Sequence, residues 1–301
     1  MKSMTPSPID RAAAAQLPEV GRPALAVPAG ACDCHCHVFG PYAQFPLAAE
    51  HTYLPPETSA QDYLNMLDRL GFSRGVLVQP SAHGLDNRAL LHALAAGAER
   101  LRGVAVVSED ADRSTLEALY AAGVRGLRFS RLLDDAGVPR YKNAVDISAL
   151  PRLLPAMQEL GLHAQLWTGA DQLGELAPLI RSTPIPFVID HIGRPDPERA
   201  LSDALHRPLW ALVEEGHLWV KLTPYRPSLR YPDYEDIRPF HQRLVELNPD
   251  RLVWGSDWPH INMPSNMPRA DHLLELLGSW TSERSVLEKI LVANPAALYG
   301  F

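Results

Sequence analysis

The sequence predicts a parallel (β/α)₈ barrel. Eight short apolar runs, each too short for a helix and without strict alternation, read as strands buried on both faces. Each is followed by a longer amphipathic stretch, and eightfold strand–helix alternation favours a parallel sheet closed on itself. The chain has 301 residues, enough for one such domain of about 250 residues. No GxGxxG turn follows the first strand, which disfavours the alternative, an open doubly wound sheet.

The elements follow in order. Residues 1–30 are rich in Pro, Ala and Ser without a sustained period and read as an N-terminal arm. The barrel is expected over 31–301 as a single domain. Strands are expected at ACDCHCHVF (31–39), RGVLVQP (74–80), GVAVV (103–107), VRGLRFS (124–130), HAQLW (163–167), PFVID (186–190), HLWVKL (217–222) and RLVWGS (251–256). Helices are expected at 60–71, 87–101, 113–122, 147–160, 170–182, 200–215, 235–247 and over a C-terminal region from 269 to 299. The Pro-rich stretch 224–239 follows the seventh strand as a long loop, and long loops at that end of a barrel are usually functional.

Composition narrows the function. The formal net charge is −7, with only four lysines among 28 basic residues. No basic stripe marks a nucleic-acid partner. No apolar run approaches the roughly 20 residues of a membrane span, and the N-terminus lacks the apolar stretch of a signal peptide. Cys32, Cys34 and Cys36 occupy alternate positions of one strand, unsuited to bridging each other. They read as small buried hydrophobes facing the helices, in a reduced cytoplasmic setting. The expected partner is a small anionic molecule, and the surface is compatible with a homo-oligomer.

In a barrel, catalytic groups sit at the C-terminal ends of strands. Asp33, His35 and His37 share one parity on the first strand, opposite the cysteines. The sixth strand ends in Asp190-His191, and the eighth in Ser256-Asp257 followed by Trp258-Pro259-His260. His35, His37, His191 and Asp257 therefore converge on one mouth. Two imidazoles on one buried face are costly unless something uses them. The isolated histidines His51, His83, His163, His217, His241 and His272 read, taken singly, as ordinary core or rim residues.

The runs GACDCHCHVFGP (30–41), VIDHIGRPD (188–196) and WGSDWPH (254–260) resemble the amidohydrolase superfamily. Within it they are most similar to the lactonase branch that contains the 2-pyrone-4,6-dicarboxylate lactonases. QPSAHGLDN (79–87), RGLRF (125–129) and VANPAALYG (292–300) extend the likeness over nearly the whole chain after residue 25. The resemblance implies that Asp257 is the acid/base carboxylate and that His35, His37 and His191 line the site. It implies no cofactor, with His35, His37, His191 and Asp257 as the set for one zinc if the enzyme is metal-dependent. A two-metal site is not implied, because the fourth strand offers Arg128 and no bridging lysine or glutamate.

The same resemblance assigns Arg128 to a substrate carboxylate and Arg226, in the loop after the seventh strand, to another. Ser81 and His83 would donate hydrogen bonds, Trp167 stands where the family has a tyrosine, and His260 joins the substrate side. The family has a further substrate arginine after RGLRF; here SRLLDDAG offers Arg131 from a different turn. The expected activity is hydrolysis of a carboxylated unsaturated lactone in aromatic catabolism. Asp257 activates water, the histidines polarise the carbonyl, and an enolate leaving group compensates for a weak base. The alternative is a mononuclear zinc decarboxylase, or another lactone hydrolase, of the same superfamily.

Overall fold

A computed structural model describes residues 16–301 except 135 and 264. The expected arm falls outside the described residues as far as 15. Beyond it, Leu17, Val20, Leu25 and Val27 pack against the helical layer. The elements run β1 (Cys32–Cys36), α1 (Ala60–Leu70), β2 (Arg74–Val78), α2 (Arg88–Ala96), β3 (Leu101–Ala105) and α3 (Arg113–Ala121). They continue β4 (Val124–Arg131), α4 (Leu150–Leu160), β5 (His163–Thr168), α5 (Ala170–Ser182), β6 (Phe187–Ile189) and α6 (Arg207–Glu214). The last are β7 (Leu218–Leu222), α7 (Arg238–Leu247), β8 (Leu252–Trp254), α8 (Ala270–Trp280), α9 (Arg284–Glu288) and α10 (Asn294–Tyr299).

The eight strands pair in sequential order, all parallel. The barrel closes just past β8, where the Asp257 amide donates to the His35 carbonyl at 2.8 Å and the His37 amide to the Trp258 carbonyl at 2.9 Å. Closure therefore sets Asp257 beside the His-x-His pair. Outward residues such as Leu77, Leu127, Leu166, Ile189 and Val220 meet the helices in one continuous core. The inner residues split by height. Val76, Val78, Val104 and Val253 fill the lower lumen under Tyr299. Towards the strand ends the lumen turns polar, with His35, Arg128, Gln165, Asp190 and Lys221 all buried.

One parity expectation is corrected. β1 slips register against β2 between Asp33 and Cys36, so one extra residue is inserted there. Because side chains alternate with period two, a one-residue insertion exchanges the faces. Cys32 and Cys34 consequently join the lower-lumen cluster with Val76 and Val78, and only Cys36 packs in the helical layer. His35 and His37 reach the site as expected, but Asp33 does not accompany them. Its carboxylate accepts from the Ser256 amide at 2.8 Å and the Ser256 hydroxyl at 2.6 Å, stapling β1 to the end of β8.

The helices start and stop for local reasons. Ser59 and Asp62 form a capping box on α1, which ends at Gly71 in the left-handed region (φ 83°). The expected helix over 87–101 ends at Ala96: a side chain at Gly97 would meet Leu101 Cδ1, and Leu101 already belongs to β3. The expected helix over 200–215 begins at Arg207, where Pro208 suits the first turn. The C-terminal region is broken into α8, α9 and α10, with a wide π turn at Lys289–Ala293 between the last two.

Candidate active site

Four loops bring the polar groups together, and their backbones are strained where they do so. After β6, His191, Ile192, Gly193 and Arg194 all have positive φ, from 47° to 71°. Asp257 (φ 57°) and His260 (φ 58°) after β8 are also left-handed. Non-glycine residues rarely hold this conformation, at a cost of order 1–3 kcal/mol each, and such residues concentrate at functional sites. The side chains of His37, Arg128, Trp167, His191, Arg226 and Asp257 line one narrow cavity, together with Tyr53 and Tyr141.

Asp257 has two unlike oxygens. Oδ2 accepts from the Tyr225 hydroxyl at 2.6 Å and from Arg226 Nε at 2.6 Å. Oδ1 has no hydrogen-bond donor among the described residues. Burial pushes the pKa of this carboxyl up, and the Arg226 guanidinium and neighbouring histidines reverse that, holding it well below the usual carboxylate range. Oδ1 is thus an ionised, buried oxygen with free lone pairs.

The imidazoles surround that oxygen. His37 Nε2 lies 3.3 Å and His35 Nε2 3.6 Å from Asp257 Oδ1. The two Nε2 atoms are 3.3 Å apart. His37 Nδ1 stands 2.7 Å from the Val78 carbonyl, which can only accept, so Nδ1 carries a proton and, in the uncharged ring, Nε2 is bare. Burial, joined by the Lys221 charge, lowers His35 to about 3, and burial lowers His191 well below the usual histidine range. His191 Nδ1 is 4.0 Å from Asp257 Oδ2 and its ring 5.0 Å from that of His35.

The donor set fits one divalent cation. Ligand atoms around a tetrahedral zinc lie about 3.4 Å apart for bonds of about 2.0–2.2 Å. His35 Nε2, His37 Nε2 and Asp257 Oδ1 form such a triangle, and the last has no other partner among the described residues. His191, expected to share this ligand set, groups instead with His35 and Asp190.

Below the triangle lies a layer in which Asp190 and Arg128 meet two residues the motifs did not point to, Gln165 and Lys221. Asp190 Oδ2 accepts from Arg128 Nη2 at 2.9 Å, and Oδ1 accepts from Gln165 Nε2 at 2.9 Å. Lys221 Nζ donates to Gln165 Oε1 at 2.7 Å. Burial lowers the lysine to about 8 against the pull of Asp190, so it is mostly charged at neutral pH. The buried cluster then holds the cations Arg128, Lys221 and Arg226 against the carboxylates Asp190 and Asp257. The two arginines face the cavity, an environment suited to an anionic ligand.

The residues expected to bind substrate are placed unevenly. Arg128 lines the cavity, with its guanidinium 4.6 Å over the Trp167 ring. Trp167 in turn stacks on Tyr141 at 4.4 Å. Arg226 lines the cavity but spends Nε on Asp257 and Nη1 on the Ile261 carbonyl, at 2.9 Å. Ser81 lies beside Arg128 and Trp167 and donates to the Tyr53 hydroxyl at 3.3 Å. His83 does not line the cavity; it stacks on Phe39 at 6.1 Å, and its Nδ1 faces the Pro46 carbonyl. His260 is buried edge-on against Tyr225 at 5.3 Å, behind Asp257. Arg131 pairs with Asp146 at 3.2 Å, half-buried, away from the lining.

Comparison with known proteins places this geometry among relatives. The amidohydrolase family profile matches residues 32–301. A 2-pyrone-4,6-dicarboxylate hydrolase of Comamonas testosteroni is 36% identical over 288 residues, 92% of each chain. A 4-sulfomuconolactone hydrolase of Rhizobium radiobacter is 37% identical over 280 residues, again 92% of each chain. Among solved structures, an Acinetobacter baumannii protein assigned as a 2-pyrone-4,6-dicarboxylic acid hydrolase, with citric acid bound, superposes with a TM-score of 0.79. It is 28% identical and covers 90% of this chain and 100% of its own.

Proposed function

The chain belongs to the amidohydrolase family, and from that premise we propose that it is a lactonase opening an unsaturated lactone that carries acidic groups. The observation that supports this most directly is the cavity itself. It joins an ionised carboxylate with one free oxygen, the imidazoles of His37 and His191 and two arginines. Both hydrolase relatives are named for lactones bearing carboxylate or sulfonate groups, and the two arginines that line the cavity here match an anionic ligand.

The step balances with the chain's own groups. Asp257 Oδ1 takes a proton from a water as the water oxygen bonds to the lactone carbonyl carbon. Charge moves to the carbonyl oxygen, where a ring proton of His35 or His191 and the cationic layer beneath stabilise it. The ring C–O bond then breaks, and the proton on Asp257 passes to the leaving oxygen. Tyr225 and Arg226 hold Oδ2 and keep Oδ1 aimed. They also keep the base weak, so a stabilised enolate leaving group suits this site better than a simple alkoxide. A divalent ion, if held by His35, His37 and Asp257, would act as a Lewis acid toward the same carbonyl.

The deciding experiment is ultraviolet-monitored hydrolysis of 2-pyrone-4,6-dicarboxylate and of 4-sulfomuconolactone by chelator-treated protein, with metal assayed on the same sample. Turnover of either supports the reading. No turnover of either, with or without zinc, overturns it and turns attention to zinc-dependent decarboxylation.

Two further outcomes are expected. The active form of Asp257 is the ionised one and its pKa is depressed, so activity is lost only as pH falls through that depressed value. The kcat/KM profile should stay flat from neutral pH down through about pH 5, well above the reference carboxyl value near 3.9. An acid limb at about 6–7 would assign the base to a histidine. Arg128→Met should raise KM for a dicarboxylate lactone by roughly 10–100-fold, the worth of a charged hydrogen bond. An equal rise for an uncharged lactone would make Arg128 a scaffold residue only.

A further inference from the structure

Lys221 is buried at the heart of the site, and the hydrolytic step gives it no part beyond its charge. It sits on β7 in a strand of otherwise apolar residues (LWVKL) and is inaccessible to solvent. Its Nζ stands 3.4 Å from His35 Nδ1. The same ring nitrogen lies 3.2 Å from Asp190 Oδ1. One nitrogen thus has two neighbours of opposite kind: an amine that donates and a carboxylate that only accepts. An uncharged imidazole has a single ring proton, so the two arrangements are exclusive.

If Nδ1–H donates to Asp190, His35 Nε2 is bare. The bare His37 Nε2 and Asp257 Oδ1 then face it at 3.3 Å and 3.6 Å, and three lone pairs need a cation between them. If Lys221 donates to Nδ1 instead, the proton sits on Nε2. The bonds then run in one direction, from Lys221 to His35, from His35 Nε2–H to His37 Nε2, and from His37 Nδ1–H to the Val78 carbonyl. Every donor in that chain meets an acceptor. Gln165 favours it, because its oxygen holds Lys221 at 2.7 Å beside that ring nitrogen.

We propose that Lys221 is a positioning residue that selects the Nε2–H tautomer of His35, keeping one proton inside the His35–His37–Asp257 triangle, held by His37 Nε2 before substrate binds and turned to the carbonyl oxygen of a bound lactone, where a divalent cation would otherwise sit. The catalytic half of this inference rests on the lactonase reading. The half concerning the cation does not.

The test is zinc titration of the chelator-treated full chain by calorimetry, together with long-range ¹H–¹⁵N spectra of protein labelled at histidine. His35 signals are identified by their loss in His35→Gln. In wild type, metal-free His35 should show the Nε2-protonated pattern. In Lys221→Met it should show the Nδ1-protonated pattern, and zinc should bind about 10–100-fold more tightly, the usual scale for a partner behind a ligand. An Nδ1-protonated His35 in wild type overturns the proposal, and that measurement needs no variant to fold. A folded Lys221→Met with unchanged zinc affinity overturns it equally. Neither readout involves a substrate, so failure on every lactone would count against the function alone.

Discussion

Asp257→Asn is expected to lower kcat by roughly 10²–10⁴-fold, the usual contribution of a positioned general base. The substitution removes proton affinity from one atom, the Oδ1 that has no donor among the described residues. It removes little else. Asparagine adopts the left-handed backbone that Asp257 requires (φ 57°) more readily than most residues. Its amide oxygen can still accept from Tyr225 and Arg226, which now hold Oδ2 at 2.6 Å each. The loss of one negative charge makes the buried site more positive, so an anionic ligand should bind as well as before or better. The check is a pair of measurements on one preparation: steady-state hydrolysis, and calorimetric titration with the ring-opened product. Near-normal turnover would remove Asp257 from the base role. Loss of product binding along with turnover would mean the variant has lost the site rather than the proton acceptor.

The barrel was readable from sequence because its signals are local. Each strand is a short apolar run, and each helix carries its own boundaries, as with Ser59, Asp62 and Gly71 around α1. The His-x-His pair and the carboxylate after β8 were readable for the same reason: position at a strand end already places a side chain at the mouth. What could not be read was pairing across the barrel. The register slip in β1 carries no glycine or proline to announce it. It sends Asp33 to Ser256, 223 positions away, and Cys32 and Cys34 into the lumen.

The arginines show the same limit from another side. Arg128 and Arg226 were expected to be free for substrate carboxylates, and both line the cavity. Yet each also holds a carboxylate of the chain itself, Asp190 and Asp257 respectively. Their contribution to binding is therefore a share of a network rather than a whole charge. Arg131 is claimed outright by Asp146. Lys221 and Gln165 were overlooked although a signal existed: a polar side chain inside a strand buried on both faces needs a partner in the lumen. Tyr225 lay within the long loop after β7 that was singled out, but nothing in PYRPS distinguishes a side chain that grips Asp257 from one that points to solvent.

Asp190→Ala should be the most destabilising single change in the site. The carboxylate accepts from Arg128 and Gln165 and lies 3.8 Å from Lys221 Nζ, with no exposed surface. Its removal leaves two cations in the lumen facing a methyl group. Breaking a buried pair by deleting one partner costs roughly 3–5 kcal/mol, because the remaining charge stays desolvated. For a chain of this size that is about 6–10 °C in Tm. The pH dependence follows from the same contacts. Burial would raise the Asp190 pKa, but His35, Arg128 and Lys221 hold it well below the usual carboxylate range. A depressed carboxyl contributes its stability above the unfolded value near 3.9 and loses it as pH falls through the folded value. The gap between wild type and Asp190→Ala should therefore be constant from about pH 5 to neutrality and narrow only in stronger acid. Thermal unfolding of both proteins across that range is the measurement. A gap below about 1 kcal/mol at neutral pH, the scale of an exposed pair, would mean that water reaches the layer under His35 and that its charges are not held as these distances require.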